Sequence, residues 1–388
     1  MPRLRAFVSG SVSRLAALGL GLLLALTLGE GAARLLFPSY SPIAFDLYYK
    51  NERGDLRLRP HARRQHASPE WNVRIDTNAA GFRDADTAPR PGQPVVIVLG
   101  DSMAFGWGVE FLAAFPSRLE AALAAEDVRV IKAAIPGTGT TDQLELLKEL
   151  LRRTRADVVV LAFFVGNDFD DVASGGAAQY DVVDGLLAFK GQARGVGGRL
   201  GALLKRKSYL AQILAERWWR LHMRRAELVP VAQREHPGLA QRDEFLRRYI
   251  QVHLREPLPQ RLERGVADTL SALREIQGIS AEGGARFVLA VIPRSIQVHD
   301  GDRRRYEEAF GLPPEAWDLD RPQRILRDWA SGSEGVELVD LLPALRRAAA
   351  GSERLYFFPD SHLAAAGHAV VAAELARQIE ARPLRPRP

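Results

Sequence analysis

Apolar residues are distributed along this chain in two alternating rhythms. Val95-Val-Ile-Val-Leu99 is an unbroken, mostly β-branched run. Such a run predicts a strand buried on both faces, as in the middle of a parallel sheet. Residues 128–133, 157–164, 286–292 and 336–339 repeat that character. Between and after them lie segments of helical period: 116–125, with Leu119 and Leu123 on one face, and 142–151, with Leu144, Leu147 and Leu151 at helical spacing. Helices are also expected at about 261–282 and from about Ala364 to Ile379. The βαβαβ order predicts an α/β fold around a central parallel sheet of about five strands with right-handed crossovers.

The first 38 residues differ. Arg3, Arg5 and Arg14 precede an uncharged Leu-, Ala- and Gly-rich run from Leu15 to Gly29. This run alone falls short of the about 20 residues a membrane span needs. It reaches that length if the helix continues through Glu30 and Arg34, an i,i+4 pair in the favourable order, to Phe37 and stops at Pro38. A single-pass transmembrane anchor over residues 1–38 is the first reading. A cleaved signal peptide, with Gly31-Ala-Ala33 as its processing site, and a buried core helix are the alternatives. Arginines ahead of the span place the remainder outside the cytoplasm, which implies an inner-membrane protein facing the periplasm.

Residues 39–94 are proline-rich and aromatic-dotted, and read as a linker plus an edge element. Within them, Trp71-Asn-Val-Arg-Ile75 is strand-like and Asn78-Ala-Ala-Gly-Phe-Arg83 is a tight turn. The globular domain is expected over 95–380, interrupted by an insertion at 172–282. That insertion opens with a hairpin at Val182-Val-Asp-Gly-Leu-Leu187, turning on Asp-Gly. Lys190 to Arg234 is strongly basic, carries Tyr209, Trp218 and Trp219, and is expected to be helical. It reads as a cap, a membrane-surface or acidic-glycan grip, or a solvated insertion. Residues 381–388 are expected to be a disordered tail.

Composition narrows the chemistry. Of 388 residues, 47% are hydrophobic and 26% charged, ordinary values for a globular core. Lys plus Arg number 53 against 47 Asp plus Glu, a net charge of +6, with pI about 9.7. No nucleic-acid motif accompanies that charge. There is no cysteine, which excludes disulfides, thiolate catalysis, Cys-bound zinc and a lipidated-cysteine anchor.

Loops after the first three strands read Gly100-Asp-Ser102, Ile135-Pro-Gly-Thr-Gly139 and Gly166-Asn-Asp168, and Asp360-Ser-His362 precedes the last helix. Ligands of open α/β sheets bind outside the carboxyl ends of the strands. A serine becomes a useful nucleophile when a histidine takes its proton and a carboxylate orients that histidine. Ser102, His362 and Asp360 supply those three groups. The N–H groups of Ser102 and Gly137 and the amide of Asn167 are candidate donors to an oxyanion. Taken singly, each has a plain structural reading. Ser102 or Asn167 would cap a helix, Gly137 would serve a backbone angle, His362 would be a first-turn residue, and Asp360 would complement a helix N-terminus.

The four blocks in this order resemble the SGNH (GDSL-type) hydrolase superfamily over about 95–170 and 286–380. The resemblance implies a flavodoxin-like three-layer α/β/α fold with Ser102 as nucleophile, His362 as base, and Gly137 and Asn167 in the oxyanion hole. It implies a carboxylic ester hydrolase that needs no cofactor and no metal. Its substrate would be an acylated carbohydrate or small ester, and its activity removal of a small acyl group such as acetyl. An O-acyltransferase with the same residues is the alternative. Two departures stand out. The usual Asp-x-x-His is Asp-x-His here, a spacing that resembles the branch containing membrane-associated alginate O-acetyltransferase proteins. Lys132 and Ala134 stand where relatives often have Asn and Gly.

Overall fold

Strand β5 (Val95–Gly100) is wholly buried and lies second from one edge of a five-stranded sheet. The sheet is completed by β6 (Arg129–Ala134), β7 (Val158–Phe164), β10 (Arg286–Ile292) and β11 (Val336–Asp340). Their spatial order is β11-β10-β7-β5-β6 and every pairing is parallel. The computed structural model describes residues 2–36, 46–67, 70–183, 185–190, 208–211, 213–214, 217, 247–351, 353–358, 360–382 and 384.

Helices cover both faces of the sheet. Helices α3 (Phe115–Ala122), α10 (Leu342–Ala348) and α11 (Ala365–Glu380) pack together on one side. Helices α4 (Thr140–Leu151), α5 (Asp168–Ala173) and α6 (Gln260–Glu282) pack together on the other. In α6 the buried positions Leu262, Gly265, Thr269, Leu273, Ile276 and Ser280 recur at three- to four-residue steps, the period that turns one helix face to a core. Strand order reverses between β5 and β7, opening the crevice where α/β sheets bind ligands.

Residues 46–94, expected as linker plus edge element, belong to the same compact unit as the sheet. They form two antiparallel hairpins. One pairs β1 (Tyr48–Lys50) with β2 (Leu56–Leu58), the other β3 (Arg63–Ala67) with β4 (Asn72–Asp76). Leu47, Leu56, Leu58, Ile75 and Phe82 join the main core. The Asp-Gly hairpin is present as β8 (Tyr180–Val183) paired with β9 (Leu186–Phe189). Most of the basic stretch 190–234 and of the tail lies outside the described residues.

A second unit comprises residues 1–44 and 194–223. Its helix α1 (Pro2–Leu36) includes a 21-residue stretch, Ala16–Leu36, of mean hydropathy 1.7, long and apolar enough to cross a membrane. The expected Glu30–Arg34 pair forms at 2.8 Å. Glu30 also accepts hydrogen bonds from Ser208 Oγ at 2.8 Å and from the Tyr209 and Leu210 N–H groups at 3.1 and 3.0 Å. Arg34 lies over the Tyr209 ring.

Candidate active site

Strand β5 ends at Gly100, and the chain turns at once into the short helix α2 (Ser102–Phe105). Asp101 caps that helix, accepting the Met103 N–H at 2.8 Å, and is buried to 1% exposure. Ser102 is the first helical residue, so its N–H belongs to the set a helix leaves unpaired. Among the described residues it donates to no backbone carbonyl.

The histidine arrives from the far end of the chain. Tyr356 is fully buried and its hydroxyl donates to Pro293 O at 2.6 Å, which ties the Tyr356–Leu363 loop to the end of β10. Ser361 has φ of +71°, a conformation uncommon for a residue with a Cβ. The loop is closed by Phe357 N–H to His362 O at 2.8 Å and Ser361 N–H to Phe357 O at 3.1 Å. In this tight turn one intervening residue suffices to bring the Asp360 and His362 side chains together. His362 Nε2 lies 2.7 Å from Ser102 Oγ, and its Nδ1 meets Asp360 Oδ1. Serine, imidazole and carboxylate thus form one continuous hydrogen-bonded chain.

Burial alone would lower the His362 pKa, but the charge and hydrogen bond of Asp360, with Asp101 and Glu70, raise it above its ordinary value. Burial pushes Asp360 up, yet the His362 charge and hydrogen bonds hold it below the usual carboxylate range. The pair is arranged to favour an imidazolium beside a carboxylate, the state that follows removal of a serine proton.

Asn167 stands at the N-cap position of α5 without a side-chain capping bond, in the loop that follows β7, the strand beside Ser102's own. Its Nδ2 donates to Asp101 Oδ2 at 3.2 Å and Asp171 Oδ2 at 2.9 Å. Its Oδ1 is buried with no partner among the described residues. Burial, reinforced by Asp101, drives the Asp171 carboxyl up to about 8. Burial likewise raises Asp168 well above its usual range, and its Oδ2 accepts the Phe164 N–H at 2.8 Å. Gly137 has φ of +84°, and a Cβ there would lie 3.0 Å from Leu187 Cδ1. Its N–H donates to no backbone carbonyl among the described residues.

A second group of residues surrounds this centre, and no sequence pattern assigned any of them a place at the site. Trp107 stacks on His362, with centroids 5.7 Å apart and planes at 26°. His66 stands edge-on to Trp107 at 4.5 Å and accepts from Trp71 Nε1 at 3.2 Å. Burial lowers the His66 pKa to about 4, so its imidazole is neutral at neutral pH. Arg83, buried at 3% exposure, donates to the carbonyls of Gly106, Val109 and Arg74 at 2.8, 2.9 and 2.8 Å. The Asn78–Arg83 turn therefore secures the loop that presents Trp107. Lys132, the first departure in sequence, is buried and pairs with Asp84 at 3.0 Å and Glu120 at 2.6 Å, with Arg129 joining both carboxylates. It ties that same turn to β6. Among the described residues no group of His, Asp or Glu is arranged to hold a metal ion.

Residues 254–387 match the family model described as "SGNH hydrolase-like domain, acetyltransferase AlgX". Asp360 and His362 lie inside the matched segment, and Ser102, Gly137 and Asn167 lie outside it. No curated protein matches the chain. Among solved structures, the chain is similar to TesA, with 15% identity, 72% of this chain and 95% of that one covered, and a TM-score of 0.37. It is similar to a lipase/acylhydrolase from Enterococcus faecalis (15% identity, coverage 76% and 100%, TM-score 0.40). A third likeness is to a catalytic mutant of the acetylxylan esterase Axe2 from Geobacillus stearothermophilus (13% identity, coverage 74% and 93%, TM-score 0.38).

Proposed function

We propose that this chain is a serine esterase that removes a small acyl group, acetyl in the first instance, from a carbohydrate or related cell-envelope substrate. The observation that carries this reading is the unbroken chain Ser102 Oγ–His362 Nε2, His362 Nδ1–Asp360 Oδ1 at the carboxyl end of the sheet. Ser102 Oγ attacks the ester carbonyl carbon as its proton passes to His362 Nε2, and Asp360 stabilises the imidazolium. The N–H groups of Ser102 and Gly137 receive the oxyanion, together with Asn167 Nδ2 once it turns from one of its carboxylates. Collapse breaks the ester C–O bond, and His362 returns the proton to the departing alcohol. Water then attacks the acyl-serine with His362 as base, releasing the acid and restoring Ser102. No step calls for a cofactor or metal.

The second reading keeps every residue and replaces that water by a polysaccharide hydroxyl, making the protein an O-acyltransferase. What favours it is the family match, whose model is named for an acetyltransferase. Residues 1–38 are read as a retained inner-membrane anchor with the catalytic unit periplasmic. A cut after Ala33 would remove Glu30 and leave the Ser208, Tyr209 and Leu210 donors without it, which supports the anchor over a cleaved leader.

The test uses the full chain in detergent, with p-nitrophenyl acetate turnover and fluorophosphonate labelling of wild type, Ser102→Ala and His362→Ala. Loss of both signals in both variants is the expected outcome. A folded wild type that neither labels nor turns over would sink the esterase reading. Acetyl transfer to an added oligosaccharide, followed by mass spectrometry, separates the two readings.

A further inference from the structure

The hairpin β3–β4 carries Glu70 into the site region, where the reaction proposed above gives it no role. Glu70 Oε1 accepts the N–H of Phe358, and Oε2 accepts the N–H of Asp360 at 3.3 Å. The residue between them is Pro359, which has no N–H, so one carboxylate engages both donors this stretch of loop offers. The neighbouring Trp71 packs against Phe357 with centroids 4.9 Å apart. Gly108 leaves room for both rings: a Cβ there would lie 2.8 Å from Phe357 Cε2 and 3.0 Å from Trp71 Cδ2. The hairpin thus grips the loop immediately before Asp360.

We propose that Glu70 is a positioning residue: its carboxylate fixes the Phe358–Asp360 backbone so that Asp360 and His362 stay in register with Ser102. The proposal rests on the reading of those three residues as an acyl-transfer triad. A carboxylate suits the task because it presents two acceptor oxygens. Glutamine fills the same volume but offers one acceptor, and its NH2 would face a backbone N–H. The charge has a second effect, since the titratable and charged groups facing Glu70 among the described residues include Asp360, Arg354 and His362. Burial raises the Glu70 pKa, while the two N–H donors and Arg354 oppose that rise. When ionised, Glu70 favours the His362 imidazolium. A misplacement of the order of 1 Å between nucleophile and base costs about a hundredfold in rate, so a loop anchor is a kinetic device.

The experiment compares wild type, Glu70→Gln and Glu70→Ala as full chains in detergent. It reads fluorophosphonate labelling rates across pH and the His362 titration by NMR of 15N-histidine-labelled protein. Both variants are expected to label about ten- to a hundredfold more slowly. The p-nitrophenyl acetate kcat should fall more than KM rises, and the His362 titration should move to lower pH. If Glu70→Ala fails to fold, the isosteric Glu70→Gln carries the comparison. Labelling within twofold of wild type and an unmoved His362 titration would overturn the proposal. A wild type that does not label, with a His362 titration that still moves in Glu70→Gln, would remove the esterase reading while leaving Glu70 as the anchor of the loop.

Discussion

Trp107 lies nearly parallel to His362, on the ring that bridges Ser102 and Asp360. An aromatic face within about 6 Å of a cation stabilises it by roughly 0.5–2 kcal/mol. Trp107 therefore acts on the protonated form of His362, alongside Asp360. Trp107→Ala is expected to move the acid limb of the kcat/KM profile to lower pH, and Trp107→Phe to keep most of the wild-type position. A pH–rate profile over pH 5–9 checks both.

For wild type, the proposed mechanism requires His362 to be neutral to accept the Ser102 proton, and its pKa is raised. Activity is thus expected to rise with pH through a midpoint above the ordinary histidine value and to be lost below it. Asp360→Asn leaves the shape of the loop but not the imidazole tautomer. A fall of about 10⁴ in acylation rate is expected, with the melting temperature near wild type. Stopped-flow acylation and calorimetry on the same sample measure the two.

Arg83 satisfies the buried carbonyls of Gly106 and Val109, and the less buried one of Arg74, with one guanidinium. Removing it leaves those acceptors unpaired, at a cost of about 1–3 kcal/mol each before relaxation. Arg83→Met is expected to destabilise the protein by about 3 kcal/mol, read from urea unfolding, and to slow labelling because the Trp107 loop is released. A stability change under 1 kcal/mol would show that water replaces the guanidinium.

Asp171, raised to about 8 by burial and Asp101, is protonated in the folded state where an unfolded chain has already ionised it. Such a group contributes its full stability below its unfolded value. That contribution is lost as pH rises from about 4 through 8. Asp171→Asn removes the titration. The melting temperature of wild type relative to Asp171→Asn is therefore expected to be lower at pH 9 than at pH 5. A difference that does not change with pH would contradict the assignment.

Gly137 combines a left-handed backbone with contact to Leu187. Gly137→Ala is expected to cost about 1 kcal/mol from the backbone alone and to slow acylation. Adding Leu187→Ala relieves the contact but not φ, so the double variant is expected to recover only part of the labelling rate.

The β5–β6–β7 alternation was legible because burial on both faces leaves nothing but apolar residues in a central strand, and the Gly-Asp-Ser and Asp-Ser-His blocks stood at its functional end. The segment 46–94 was not legible as part of the domain. Its strands are short, and Arg63–Ala67 contains hardly any apolar residue that would announce burial. Glu70 carried no local signal, and Arg83 was legible only as the end of the Asn78–Arg83 turn, because their partners include backbone groups remote in sequence, Phe358 and Gly106 among them, whose positions no side-chain pattern encodes. Lys132 looked like a departure because its two carboxylates, Asp84 and Glu120, belong to segments whose approach only the fold creates. The Asp360-x-His362 spacing became intelligible with the left-handed backbone of Ser361, which a sequence pattern does not specify for serine.

Ser102 and His362 are 260 positions apart. A ribosome making this chain delivers the serine, its glycine-rich turn and the gripping hairpin well before the imidazole. In the proposed mechanism, the serine has no group to take its proton until the segment carrying His362 has emerged and settled against Glu70. On the proposed mechanism, the connectivity itself would keep a chain lacking the His362 segment from acylating Ser102.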